Sequence, residues 1–251
     1  MMTSLLVRGM LIGLLAGILG FGFARIFGEP EVNRAVAFAD QARLAKGEPA
    51  EPVLVSRQTQ AGLGLFTGVV VYSVALGGLF ALVFAAVYGR VGALSPRMTA
   101  ALLALAGFVV IVVVPALKYP PNPPAIGDPE TIGRRTALYF TMMATSLASA
   151  VVAVGLARRL VARLGRWNGI LLAMLAFVVI VAAAQYILPA VNEVPEHFAA
   201  VVLWRFRTAS LGIQIVLWAT LGIGFGIAAE ASCAQTSQAF GLEPWRGFGR
   251  G

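Results

Sequence analysis

Six apolar runs, each twenty residues or longer, leave this chain few structures to choose from: about Leu5–Phe27, Ala61–Tyr88, Met98–Leu117, Ala137–Ala157, Gly169–Leu188 and Ala209–Ala229. A bilayer core about 30 Å thick is crossed by about 20 apolar residues in a helix. Lipid offers no hydrogen bonds to the backbone, so only helices or closed barrels cross it. A barrel needs strands that alternate apolar and polar residues, and these runs do not alternate. The predicted fold is therefore all-α, a polytopic membrane protein with six transmembrane helices. Composition agrees: 59% of residues are hydrophobic and 12% are charged, against about 25% charged in soluble domains.

The segments between the runs carry the charge. After runs 2 and 4 they are short and basic, with Arg90 and Arg97 in one and Arg158, Arg159, Arg163 and Arg166 in the other. After runs 1, 3 and 5 they are longer and proline-rich, and they hold nine of the eleven acids. Short basic loops favour the cytoplasmic side, which predicts both termini in the cytoplasm and the proline loops outside. The net charge of +8 thus reflects membrane topology and contact with lipid, not nucleic-acid binding. The first run is too long for a signal-peptide core and no small-x-small cleavage site follows it, so it reads as a span. Residues 1–230 are expected to form the transmembrane domain and 231–251 a cytoplasmic tail.

Two outer segments share a plan. One is Lys118–Thr136, KYPPNPPAIGDPETIGRRT, with Lys118, Pro121, Asn122, Arg134 and Arg135 as its marked residues. The other runs from Pro189 to Thr208 and includes Asn192, Arg205 and Arg207. With Pro30, Asn33, Arg57 and Thr59 around the first outer segment, the pattern suggests three pseudo-repeated helical hairpins, as in parallel-repeat transporters. Ordinary end-of-span preferences for Pro, Asn and Arg produce the same pattern.

Gly9, Gly13 and Gly17 form a small-xxx-small ridge, and Gly64 with Gly68 and Gly222 with Gly226 repeat the spacing. Such ridges let helix backbones approach closely, within the chain or against a second copy. No Asp or Glu lies deep inside a run, which disfavours a proton-driven antiporter. Gln185 and Gln214 are the candidate pathway residues, their plainer role being interhelical hydrogen bonding. Met142 and Met143 offer thioethers, though Met most often fills cores. One cysteine, Cys233, and one histidine, His197, exclude an internal disulfide and a His or Cys cluster for zinc. The outer segments nevertheless gather Asp128, Asn192, Glu193 and His197, and oxygen and imidazole donors suit divalent cobalt, nickel or zinc. The arginines beside them either pair with the acids, snorkel to headgroups or hold an anion. No nucleotide-binding motif is present, and a lone histidine argues against an enzyme site.

FARIFGEP at Phe23–Pro30, KYPPNPPAIGDPETIGRRTALYF at Lys118–Phe140, and LPAVNEVP followed by LWRFRTASLG up to Gly212 resemble the CbtA family of predicted cobalt transporter subunits. The resemblance covers about Met1 to Glu230, and its specificity lies in the two loop blocks. It implies a multi-pass subunit of the bacterial inner membrane, with cobalt(II) as cargo rather than a tightly bound cofactor, serving cobalamin supply. It also implies a small one-span CbtB-like partner with terminal histidines. Many family members hold a His-rich stretch in the first outer loop; Glu29–Gln60 here has none, so either the partner supplies the imidazoles or this branch handles something else. The competing reading is a non-transporting membrane scaffold that assembles through its glycine faces, as a homo-oligomer or with other helices.

Overall fold

The computed structural model of the protein describes residues 2–47, 54–90, 92–124 and 126–231. Six long apolar helices account for nearly all of them: α1 Met2–Ala45, α2 Arg57–Val87, α3 Pro96–Lys118, α4 Pro129–Leu164, α5 Arg166–Ile187 and α6 Ala200–Ala231. The all-α, six-span expectation holds. Cys233 and the tail from residue 232 onward lie outside the described residues.

Local chemistry sets the ends. Ser56 Oγ accepts the Thr59 amide at 3.2 Å at the start of α2, and Ser95 Oγ accepts the Met98 amide at 3.2 Å at the start of α3. Such caps satisfy amides that have no partner in the first helical turn. Asp128 does the same for α4, accepting the Glu130 amide at 2.9 Å. Helix α3 stops at Tyr119, ahead of Pro120 and Pro121, and α5 stops at Leu188, ahead of Pro189; a residue before proline is driven out of helical geometry.

Two helix boundaries differ from the sequence expectation. The chain does not leave α1 at the FARIFGEP segment. The missing amide of Pro30 is absorbed in a π-helical turn at Ala24–Gly28, and the helix continues over Glu29–Ala45. Arg25 is therefore interior to a helix, and helical structure extends well into the connection after the first run. Another π turn, Phe108–Val113, precedes Pro115 in α3 in the same way. Wider turns of this kind let a helix accommodate a proline without breaking. Likewise α6 begins at Ala200, so Arg205 and Arg207 sit on a helix rather than in a loop. Arg134 and Arg135 are in the first turn and a half of the helix starting at Ile132.

The chain divides into two compact units. The first comprises Met1–Phe23, Val55–Ala106 and Ile213–Gly251. Its dominant contact is α1 on α2. A methyl group on Gly9 would overlap the Gly77 carbonyl, one on Gly13 the Ser73 carbonyl, and one on Gly17 would lie 2.9 Å from Val70 Cα. Gly222 and Gly226 of α6 face α3, where an added methyl would lie 2.7 Å from Ala104 Cβ and 3.1 Å from Arg97 Cα. Gly68, which shares the sequence spacing, faces open space. Phe225 packs edge-on against Phe80 and Phe84 at 5.4 and 5.0 Å, an arrangement worth about 0.5–1.5 kcal/mol per pair beyond burial. Arg8 donates to the Ala228 carbonyl at 2.6 Å, and Arg97 pairs with Glu230.

The second unit comprises Ala24–Leu54 and Gly107–Gly212. Here α4 packs along α5 after a connection of one residue, Gly165, with φ +81°. That close pair runs across the boundary between the second and third hairpins of the expected repeat, because so short a connection forces antiparallel neighbours. One core joins Val114, Tyr119, Met142 and Val181, and another joins Ala35, Ile126 and Phe198.

Apolar side chains also cover the exposed helix faces: Leu11, Leu79, Leu105, Val151, Leu175 and Ile223 are each at least half exposed or nearly so. Patches of that extent are not left to water in soluble proteins; in a multi-pass protein they face lipid.

Candidate functional site

In the second unit the two proline-rich segments are stitched to each other and to the ends of their helices. Lys118, the last residue of α3, donates from Nζ to the Gln185 carbonyl at 2.6 Å. The Gln185 side chain returns the link, donating to the Val114 carbonyl at 3.3 Å. One turn further, the buried Tyr119 hydroxyl donates to the Pro189 carbonyl at 2.8 Å. Burial raises the Tyr119 phenol above its usual range while the charge of Arg134 opposes the shift, so the hydroxyl stays a donor at neutral pH. Arg207 reaches the loop with Nε toward the Pro121 carbonyl at 3.3 Å and Nη2 to Asn122 Oδ1 at 2.9 Å.

The middle of the first loop is held by one carboxylate oxygen. Glu193 Oε2 accepts the Asp128 amide at 3.1 Å and the Thr131 hydroxyl at 2.7 Å. Arg135 Nε lies 3.2 Å from the same oxygen without making a hydrogen bond to it, so this contact is an ion pair only. Arg135 Nη2 in turn donates to the Asp128 carbonyl at 3.1 Å. Both side chains of the pair are mostly buried, at 25% and 20% exposure. The contact therefore counts for more than a surface salt bridge, though solvent still screens it.

Gly127 makes this closure possible. Its φ of +107° belongs to the left-handed side of the map, and a methyl there would lie 2.5 Å from Arg135 Nη1 and 3.1 Å from Glu193 Oε2. Gly127→Ala is expected to open the clasp, both by backbone strain of about 1–2 kcal/mol and by displacing the guanidinium. Limited proteolysis of membranes should then cut between Asn122 and Asp128 faster than in the wild type.

The second loop is anchored by Phe198, which is buried and meets Phe38 edge-on at 5.1 Å. Around that anchor Asn192, Glu196 and His197 are exposed. Of the four expected metal-binding residues, then, Asp128 and Glu193 come together, but through the backbone amide of Asp128. The Asp128 carboxylate caps α4, Glu193 holds the clasp, and Asn192 and His197 point to solvent. Among the described residues no three His, Cys, Asp or Glu side chains are grouped to hold a metal ion.

The two candidate pathway glutamines fall in different units. Gln185 is a cross-link between α3 and α5, whereas Gln214 belongs to the first unit. There its Oε1 is buried without a hydrogen-bond partner, as is Nε1 of Trp218 one turn on.

Sequence reasoning passed over Glu31. It is buried at 5% exposure in the helical continuation of α1, pairs with Arg34, and has Arg205 Nη1 4.0 Å away. Its Oε2 makes no hydrogen bond. The available signal was the i,i+3 spacing of Glu31 and Arg34, which matters only once residues 29–45 are known to be helical.

A family model described as "Probable cobalt transporter subunit (CbtA)" matches residues 2–230. The chain belongs to that family, as a multi-span subunit of a cobalt transporter. No curated protein and no solved structure matches it.

Proposed function

We propose that the chain is the membrane-embedded subunit of a cobalt(II) uptake system in the bacterial inner membrane, serving cobalamin supply. Both termini lie in the cytoplasm and the clasped loops outside; residues 1–230 form the transmembrane domain and 231–251 a cytoplasmic tail. The observation that carries this reading is the clasp itself: two outer loops held in one arrangement by Glu193, Arg135, Tyr119 and Arg207, with Asp128, Asn192 and His197 left exposed beside it. Exposed oxygen and imidazole donors that do not converge suit weak contact with a hydrated cation, and transport needs binding weak enough for release. Glu193 acts here as the brace. Tight ligation falls to a small one-span partner that supplies histidines.

The scaffold reading draws less support. Gly9, Gly13 and Gly17 are already filled by α2, and Gly222 and Gly226 by α3, so these ridges are used within the chain.

Cobalt accumulation in cobalt-starved cells tests the proposal. Cells expressing the chain together with its small partner are expected to accumulate cobalt well above an empty-vector strain. No excess, with or without the partner, removes the transport reading. His197→Ala should leave uptake within about twofold, as expected of a single weak, exposed donor.

A further inference from the structure

The turn between α4 and α5 carries a second surface whose chemistry is independent of the cargo. Arg158, Arg159 and Arg163 end α4, and Arg166 opens α5. All four are exposed, and none has a hydrogen bond or ion pair with any described residue. Their number is a liability if nothing answers it. Arg159 and Arg163 are four residues apart on one helix, where like charges repel, and the first turn of α5 contains no acid.

The backbone beneath them is fixed. A methyl on Gly169 would lie 2.5 Å from the Val161 amide nitrogen and 2.8 Å from the Leu160 carbonyl carbon. The two helices therefore touch one turn from the bend, and Gly165 turns the chain in a single residue. Arg163 and Arg166 are thus held on either side of a rigid corner.

The position of the cluster selects its counter-ion. Helix α4 has 36 residues, about 54 Å at 1.5 Å per residue, and so outruns the hydrocarbon core. The apolar stretch ends at Ala157, which puts the turn from Arg158 to Arg166 at headgroup depth. Trp167, 75% exposed, stands beside Arg166, and an exposed tryptophan at the end of a span belongs at the membrane interface. Cations on a fixed backbone with no partner among the described residues, at the depth of lipid phosphates, call for anionic lipid.

We infer that the Arg159, Arg163 and Arg166 corner, flanked by Arg158 and Trp167, binds the phosphate headgroup of an anionic phospholipid. Guanidinium pairs bidentately with phosphate, and basic pockets at the ends of membrane helices are a known setting for such headgroups.

The test uses the full chain, purified in neutral detergent and titrated with dioleoylphosphatidylglycerol or dioleoylphosphatidylcholine, with bound lipid counted by native mass spectrometry. The wild type is expected to prefer phosphatidylglycerol. R159Q and R163Q singly should each weaken that binding about fivefold, and neither removes a contact that holds the fold. The triple variant R159Q/R163Q/R166Q should lose the preference, and the matching triple lysine variant should retain part of it. R90Q, whose guanidinium is already engaged by the carbonyls of Ala85 and Ala86, should bind like the wild type. Equal binding of the two lipids by the wild type, or undiminished preference in both single variants, overturns the assignment. Displacement of the lipid by millimolar inorganic phosphate would show a site for free phosphate instead, and overturns it too.

Discussion

Gly77→Leu is expected to abolish accumulation of folded protein in the membrane, while Gly68→Leu, nine residues earlier on the same helix, is expected to accumulate as the wild type does. The two substitutions are the same in chemistry and differ only in what the new side chain meets. At Gly77 the first added carbon already overlaps the Gly9 carbonyl and lies 2.9 Å from Gly13 Cα, whereas Gly68 has nothing within 4 Å. Neither obstacle is a side chain that can rotate away, so α1 and α2 have to part. Overpacking ordinarily destabilises by about 1–3 kcal/mol, and a collision of two backbones belongs at or beyond the top of that range. Helices in lipid have no hydrophobic effect to hold them together and rely on close packing, so separating this pair removes most of what holds it. Fluorescence-detected size exclusion of the two variants in one detergent gives the comparison. A monodisperse Gly77→Leu peak of wild-type height would mean that the α1–α2 contact is not required.

On the proposed function, Arg135→Ala is expected to lower cobalt uptake, and by about as much as Glu193→Ala. This outcome distinguishes a brace from a ligand. Were Glu193 to bind the cation directly, Arg135 would be a repelling charge beside it, and its removal would strengthen capture. With Glu193 Oε2 occupied by Arg135, the Asp128 amide and the Thr131 hydroxyl, both truncations release the same loop. Their effects should then fail to add: the double variant behaves like either single one, with a coupling of about 1 kcal/mol, or about fivefold in uptake. The loop should become protease-sensitive in all three. Glu193→Gln lies between, since an amide oxygen still accepts from Thr131 and Asp128 but lacks the charge that pairs with Arg135. Increased uptake in Arg135→Ala would return Glu193 to the role of cation ligand.

The number of spans was legible because a run such as Met98–Leu117 can satisfy its backbone in lipid in only one way. The helix ends were less legible where helical structure continues into polar sequence. Glu29–Ala45 mixes charges with alanines behind a proline, and nothing local says that a π turn will carry the helix past Pro30. Arg205 and Arg207 were misplaced for a related reason: Val201, Val202 and Leu203 form too short an apolar stretch to read as part of a span. At the site, the loops and their charged residues stood out as a group. The pairing did not, because the choice of Arg135 over Arg134 for Glu193 depends on which face of α4 each occupies. Nor could the sequence show that Lys118 and Tyr119 find their acceptors on backbone carbonyls of Gln185 and Pro189, since every residue offers a carbonyl.

Those cross-links also impose an order on the making of the protein. Asp128 leaves the ribosome 65 residues before Glu193, an interval of about 3–13 s at about 5–20 residues per second. During it the Tyr119 hydroxyl and the Asp128 amide lack the acceptors they have in the folded protein, and Arg135 lacks Glu193. The loop takes its final form only when α5 has crossed and delivered Pro189 and Glu193, so a closed clasp reports that insertion has passed the fifth helix.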